Sequence, residues 1–210
     1  MVRKTKEEAQ ETRERLLDAA GDMFSEKGVT KTSLEDIAKA AGVTRGAVYW
    51  HFKNKTDLVD ALWQRKKMPL DEAWGDCCAS LESDPLGRIR ANAIEMLRRA
   101  ANDPKTRQVY DILFHKCERV DDGETIMARC LESRQECVPV IRDFFEAAIK
   151  AGQLPKDVEV LTAMVGFFSY LDGLIYNSFL HPEVVRLNQL AELYVDIYVE
   201  GLKHTPARTP

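Results

Sequence analysis

The stretch TSLEDIAKAAGVTRGAVYWHFKNKTDL, Thr32 to Leu58, decides the fold. It reads as two short helices joined by a turn, followed by the start of a third. Thr32 or Ser33 is placed to cap the first helix, with Glu35 or Asp36 completing a capping box. Leu34, Ile37, Ala38 and Ala41 form its apolar stripe. Gly42 supplies the backbone freedom that a helix end and a sharp turn require, and Val43 plugs the gap between the helices. Thr44 caps the second helix, which runs to about His51. Ala47 and Val48 face inward there, and Arg45, Tyr49 and His51 face outward. Trp50 and Phe52 read as mostly core, with an aromatic edge of Trp50 available outside. A helix, a glycine turn and a second helix with a basic, hydrogen-bonding outer face make a helix-turn-helix, about residues 33–52. The second helix of that motif is the one that enters the major groove of DNA.

Working outward, charge supports the same reading. The chain of 210 residues carries a formal net charge of −4, which argues against nonspecific nucleic-acid binding. The charge is unevenly placed: residues 1–67 hold 14 Lys or Arg against 11 Asp or Glu, and residues 68–210 hold 16 against 23. From Ile37 to Thr56 there are four basic residues (Lys39, Arg45, Lys53 and Lys55) and no acidic one. Neutralising phosphates needs a local cationic face, not a basic protein. The expected DNA contacts are Ser33, Thr44, Arg45, Gly46, Tyr49, Trp50, His51 and Lys55. Arg45 suits bidentate pairing with guanine O6 and N7, with phosphate as the competing target. Gly46 lets the helix sit close to DNA or simply packs tightly. Lys55 lies in the first turn of helix four, where the helix N-terminus also attracts phosphate.

The rest of the chain reads as helical throughout. Thr5 with Glu8 starts helix one, whose Leu16, Ala19, Ala20, Met23 and Phe24 have the spacing of a buried stripe. Asn54 caps helix four, which runs past Trp74 and is bent or interrupted at Pro69. Ser83-Asp84-Pro85 opens helix five, to about Ala101. Asn102-Asp103-Pro104 opens helix six, to about Arg119, and Asp121-Asp122-Gly123 breaks it. Helix seven runs to about Ala151, kinked or split at Pro139, and stops at Gly152. Val158 to Leu180 is apolar nearly all round, as a helix buried on more than one side is. The final helix, about Leu187 to Lys203, carries Leu187, Leu190, Tyr194, Ile197 and Gly201 on one stripe, with Leu193 and Tyr198 beside it. Two such helices predict a second apolar surface, and a homodimer through a four-helix bundle is its natural use. No apolar run is expected to reach the roughly 20 residues of a membrane span, and Arg3, Lys4 and Lys6 lead into Glu7 and Glu8, not into a secretory signal. The expected location is the cytoplasm, with no membrane partner.

These residues also carry a family resemblance. The string AGVTRGAVYWHFKNKTDL resembles the signature of the tetracycline-repressor (TetR) family. The run VRKTKEEAQETRERLLDAA, the later FHKCE, Gly152-Gln-Leu-Pro155 and Tyr170-Leu-Asp-Gly-Leu-Ile175 resemble one branch, the acridine-resistance (AcrR-type) repressors of multidrug efflux pumps. The resemblance is dense over residues 2–65 and sparse beyond. It implies an all-α, TetR-like fold: an N-terminal three-helix helix-turn-helix DNA-binding domain, residues 1–54, and a C-terminal helical ligand-binding and dimerisation domain, residues 55–210, linked through helix four at about 55–80. It implies a dimer that reads a palindromic operator in double-stranded DNA and leaves it when a hydrophobic small-molecule effector binds. The positions matching the effector pocket are Trp63, Lys67, Met96, Tyr110, Phe114, Cys137, Ile141, Phe168 and Asp172, a mostly apolar and aromatic set. Core packing accounts for the aromatic members equally well. Asp172 stands out because a buried carboxylate is costly unless paired. Relatives often carry an acidic residue at Lys67 and an Arg or Trp at Tyr176 and Asn177, which leaves planar phenolic or anionic ligands open beside cationic drugs.

Other functions find less support. Asp111, His115 and Glu118 share a helix face, but a carboxylate-bridged metal bundle needs Glu-x-x-His from two helices. There is no phosphate-binding glycine loop or nucleophile elbow, so no enzyme activity, cofactor or metal is expected. Cys77, Cys78, Cys117, Cys130 and Cys137 are odd in number and lack C-x-x-C spacing, so they read as free thiols. A sensor of an endogenous metabolite such as an acyl-CoA, on the same fold, is the alternative to a drug sensor.

Overall fold

The computed structural model describes residues 6–75, 83–117 and 138–205, with side chains throughout except at 66–75. Every regular element among them is helical: α1 (Lys6–Lys27), α2 (Leu34–Ala40), α3 (Arg45–His51), α4 (Lys55–Gly75), α5 (Pro85–Asn102), α6 (Pro104–Asp111), α7 (Val138–Lys150), α8 (Val160–Leu180) and α9 (Leu187–Lys203). They fall into two compact units, residues 1–66 with 108–132, and residues 67–107 with 133–210.

The first unit is built on α1. Leu16, Leu17, Ala20 and Phe24 are fully buried on it, each large apolar side chain contributing about 1.5–3 kcal/mol. Ile37 and Ala38 of α2, Val48 of α3 and Leu58, Val59, Leu62 and Trp63 of α4 complete this core. Arg65 of α4 pairs with Glu14 and Asp18 of α1. Gly28 closes α1 at φ +82°. The Thr32 hydroxyl then donates back to the Gly28 carbonyl, so Ser33, not Thr32, is the cap of α2. Phe52 is core, as expected.

Two expectations change here. α4 is one uninterrupted helix to Gly75 despite Pro69. Helix six does not continue as an α-helix to Arg119: after Asp111 it widens into a π-turn, Ile112–Lys116, a form that often marks functional positions. The end of that turn is tied to the first loop, where the Val29 N–H donates to the Lys116 carbonyl at 3.1 Å.

In the second unit α5 packs against α7, α8 and α9. Asp84 caps α5 by accepting from the Gly87 N–H and from Gln153, which also accepts from the Leu86 N–H. A Cβ at Gly87 would run into the Asp84 carboxylate, so a larger residue there would push the cap aside. Ile89, Ala93, Leu97 and Ala100 of α5 and Ile141, Phe144, Phe145 and Ala148 of α7 are buried in the core of this unit, where the two helices pack together. Gly152 ends α7 at φ +72°, and Pro139 falls in the first turn of that helix as described. α8 begins at Val160 and not Val158, because the Glu159 carboxylate accepts from the Leu161 and Thr162 N–H groups as its cap. It is joined to α9 by two tyrosines pointing opposite ways: Tyr170 donates to the Tyr194 carbonyl, and Tyr198 to the Ala163 carbonyl.

α8 also corrects the expectation that no segment is long and apolar enough for a membrane span: its 21 residues, at mean hydropathy 1.2, meet that criterion by length and composition. Its packing against α5, α7 and α9 covers only part of that apolar surface, 28% of its apolar 18-residue stretch being buried. The break expected at Asp121-Asp122-Gly123, and Cys77, Cys78, Cys130 and Cys137, lie outside the described residues, while Cys117 is half-buried.

Candidate nucleic-acid interface and effector positions

The α2–turn–α3 unit forms as its sequence dictates. Ser33 accepts from the Asp36 N–H and Asp36 accepts from the Ser33 N–H and hydroxyl, a complete capping box. Those Ser33 bonds hold the Asp36 carboxyl below the usual carboxylate range. Gly42 takes φ +64°, the left-handed region that favours glycine. The Arg15 guanidinium of α1 donates to the Ala41 and Gly42 carbonyls, fixing the turn from beneath; no sequence periodicity pointed to it. Thr44 then caps α3, its hydroxyl accepting from the Ala47 N–H at 3.3 Å.

With Val48 inward, α3 turns a polar and aromatic face outward. Ser33, Thr44, Arg45 and Gly46 are exposed, and a Cβ added at Gly46 would meet nothing within 4 Å. Tyr49 is 48% exposed and Trp50 72%. The expectation that Trp50 is mostly core is therefore wrong. Val48 and Phe52 fill the inward positions one turn apart, and Trp50, two residues from each, lies on the other side of the helix. His51 is half-buried, edge-on to the Trp50 ring with centroids 4.4 Å apart.

The Arg45 guanidinium pairs through Nη1 with Glu35 Oε1 of α2 at 2.7 Å, and its Cζ lies 5.6 Å from the centroid of the Tyr49 ring. Sequence reasoning treated Glu35 as an alternative to Asp36 in the capping box; the box belongs to Asp36 alone. Lys55 is the other departure. Its ammonium donates to the Val29 and Thr30 carbonyls at 2.7 and 3.0 Å, so it ties α4 to the loop before α2. Asn54 caps α4 by accepting from the Asp57 N–H.

The effector candidates divide between the units. In the first, Trp63 and Tyr110 are buried edge to face with centroids 6.1 Å apart, and Phe114 stacks on Tyr110 at 5.6 Å. In the second, Met96 of α5 is half-buried and Ile141 of α7 buried. On α8, Phe168 packs edge-on against Phe167, and Asp172 is half-buried, so the full desolvation cost that singled it out does not apply. The Lys67 side chain and Cys137 lie outside the described residues.

Comparison with known proteins places this geometry. Residues 16–62, which hold the capping box, the glycine turn and α3, match the family described as bacterial regulatory proteins, tetR family. Residues 84–204 match the C-terminal region of MAATS-type transcriptional repressors. The chain belongs to the TetR family. It is 41% identical over 207 residues to the probable helix-turn-helix transcriptional regulator ArpR of Pseudomonas putida, covering 99% of each chain. Among solved structures, NalD, the secondary repressor of the MexAB-OprM multidrug efflux pump in Pseudomonas aeruginosa, superposes with TM-score 0.78 at 29% identity, over 96% of this chain and all of that one. The SmeT–triclosan complex superposes with TM-score 0.80 at 26% identity, over 96% of both chains. SmeT is the repressor of the Stenotrophomonas maltophilia multidrug efflux pump SmeDEF. As a TetR-family member this protein is a DNA-binding transcription regulator.

Proposed function

We propose that this TetR-family protein is a homodimeric repressor of a multidrug efflux operon, acting in the cytoplasm and released from a palindromic operator by a hydrophobic effector. The observation that carries the reading is the outward face of α3, with Arg45, Gly46, Tyr49 and Trp50 exposed together on a helix whose other face is core. Likeness to NalD and SmeT supports control of an efflux operon, and the SmeT complex with triclosan supports a phenolic effector. In this reading residues 1–54 bind DNA, and residues 55–210, joined through α4, bind ligand and dimerise.

The dimer is supported by an apolar face that the second unit leaves outward. Leu161, Val165, Tyr176 and Leu180 of α8 and Leu193 and Ile197 of α9 are all exposed. An open cleft of about 380 Å³ runs beside them, lined by Gly173, Leu174 and Asn177 of α8 and by His181, Val184 and Val185. Gly173 and Gly201 have open space where a Cβ would stand; a mid-helix glycine costs about 1 kcal/mol against alanine, and close approach of a second backbone gives both a use.

Effector contact is assigned to the rings of Trp63, Tyr110 and Phe114 and, separately, to Met96, Ile141, Phe168 and Asp172, with Lys67 and Cys137 as sequence candidates. Each is tested by its own substitution against triclosan affinity. The function itself is tested by mapping the duplex that the purified protein protects from cleavage. A palindrome beside efflux-pump genes is the expected result, and protection beside metabolic genes alone would overturn efflux control.

A further inference from the structure

Arg45 is not free in space: Glu35 holds one end of it. Glu35 is the second residue of α2 and takes no part in the capping box, which Ser33 and Asp36 complete between them. Its Oε1 forms an ion pair with Nη1 of Arg45, ten residues on and across the turn, at 2.7 Å. Both side chains are more than half exposed, 67% for Arg45 and 59% for Glu35. An exposed ion pair of this kind adds little to stability. Glu35 and Asp36 are the acids of the first turn of α2, and Asp36 is engaged in the cap, so Glu35 is the one that meets the cationic stretch from Ile37 to Thr56.

The ion pair sits at the Nη1 end of the guanidinium and leaves its other edge open. Arginine has one side edge, Nε with Nη2, that donates two parallel bonds, and the same molecule shows it in use where Arg90 grips Asp196 through Nε at 2.5 Å and Nη2 at 3.0 Å. In Arg45 the acid is on Nη1, so Nε and Nη2 keep their direction and remain available. It is one of the two edges, with Nη1/Nη2, that can donate two bonds to guanine O6 and N7, and it is the one Glu35 leaves untouched. The Tyr49 ring, 5.6 Å from Cζ, limits swing of the guanidinium plane from one side. A carboxylate beside the fork also repels phosphate oxygens, the competing partner for any arginine at a DNA surface.

We propose that Glu35 is a specificity-determining residue of the recognition surface. It positions Arg45 to read a base and disfavours contact of the same guanidinium with the phosphate backbone. The proposal rests on Arg45 as a base-reading residue and adds that the acid, not the arginine alone, sets the preference for operator over random DNA. It implies opposite signs for two changes at one ion pair. Loss of Arg45 weakens operator binding. Loss of the Glu35 charge strengthens binding to random DNA while the preference for operator falls.

The test uses the full-length protein, a duplex selected by the wild-type protein from a random pool, and a shuffled duplex of equal length, by competition binding at fixed salt. Glu35→Gln keeps size and exposure and removes the charge. Its affinity for the shuffled duplex should rise, and its ratio of selected to shuffled affinity should fall roughly threefold to tenfold, the range expected between one exposed charge pair and one bidentate base contact. In an Arg45→Ala background the same substitution should leave the ratio unchanged. A wild-type ratio in Glu35→Gln, beside a normal defect in Arg45→Ala, overturns the proposal alone. An equal fall in both backgrounds overturns it too, since the acid would then act without Arg45. A wild-type ratio in Arg45→Ala overturns base reading by Arg45 and the proposal with it.

Discussion

Lys55 directs two of its three ammonium N–H donors at the Val29 and Thr30 carbonyls, and one remains for a phosphate. Its removal should therefore show in two measurements. Lys55→Ala should lower thermal stability by about 1.5–3 kcal/mol, the range for hydrogen bonds to charged groups, and should flatten the salt dependence of DNA binding by about one unit of slope. A variant with wild-type melting and a flattened slope would reduce Lys55 to a phosphate contact. Arg45→Ala should behave differently: its melting should match wild type, because its ion pair is exposed, while discrimination between operator and shuffled DNA should fall by about 1–3 kcal/mol. Two cations ten residues apart thus have separable roles, set by what each ammonium or guanidinium touches.

At the scale of the helix, carboxylates and tyrosines hold the ends and the pairings. Asp36, Asp84, Asp103, Glu159 and Asp196 all have pKa values below the ordinary carboxylate range, held down respectively by Ser33, by the Gly87 N–H, by Thr106, by Thr162 and by Arg90. A carboxyl whose folded pKa is lowered contributes stability above its unfolded value, near about 4, and loses it as the pH falls through the folded value. Melting temperature should drop on acidification below about pH 4, and Asp84→Asn should make that drop shallower. Tyr198 has the opposite sign. Burial pushes its phenol up to about 12, so its contribution is full below the unfolded value of about 10 and is lost as pH rises through the folded one. Tyr198→Phe should cost about 0.5–1.5 kcal/mol at neutral pH through the lost bond to the Ala163 carbonyl. It should also remove part of the stability loss between pH 10 and 12, measured by denaturant titration.

For the whole molecule the decisive quantities are oligomeric state and linkage. Leu193 and Ile197 stand 55% and 58% exposed on α9, so replacing both by Asp should leave the fold intact and yield monomers in sedimentation that no longer bind operator. A wild-type monomer at concentrations that saturate operator would remove the twofold reading. A dimer must present its recognition helices about 34–36 Å apart to meet successive major grooves. An effector that biases α4, the helix that begins at Lys55 and carries Trp63, should therefore release DNA by altering that spacing. Linkage makes the coupling reciprocal: triclosan affinity measured calorimetrically with operator present should fall by the factor by which triclosan weakens operator binding. Equal triclosan affinity in the two titrations would rule out derepression by this route.

Most of the DNA-binding motif was legible in the sequence because its determinants are local. The Ser33–Asp36 box, the Gly42 turn, the Thr44 and Asn54 caps, Pro85 in the first turn of α5 and the stop at Gly152 each depend on neighbours within about four residues, the reach of one helical turn. The family signature lies in the same stretch for the same reason. What stayed illegible depends on partners far along the chain. Helix α9 carries two apolar stripes, one through Leu187, Ala191, Val195, Val199 and Leu202 and one through Leu190, Leu193, Tyr194 and Ile197. In the sequence Leu187, Leu190, Tyr194, Ile197 and Gly201 read as the main stripe; of these only Leu187 is buried, and the buried stripe is the first. The choice is made by α5, whose Arg90 and Arg98 pair with Asp196 and Glu192 and turn the first stripe inward. In the same way the sequence alone determined the helix-turn-helix and its caps. Only tertiary structure decided that Trp50 faces out, that Lys55 reaches back to Val29 and that Glu35 holds Arg45, because each depends on which face of a short helix finds a core to cover it.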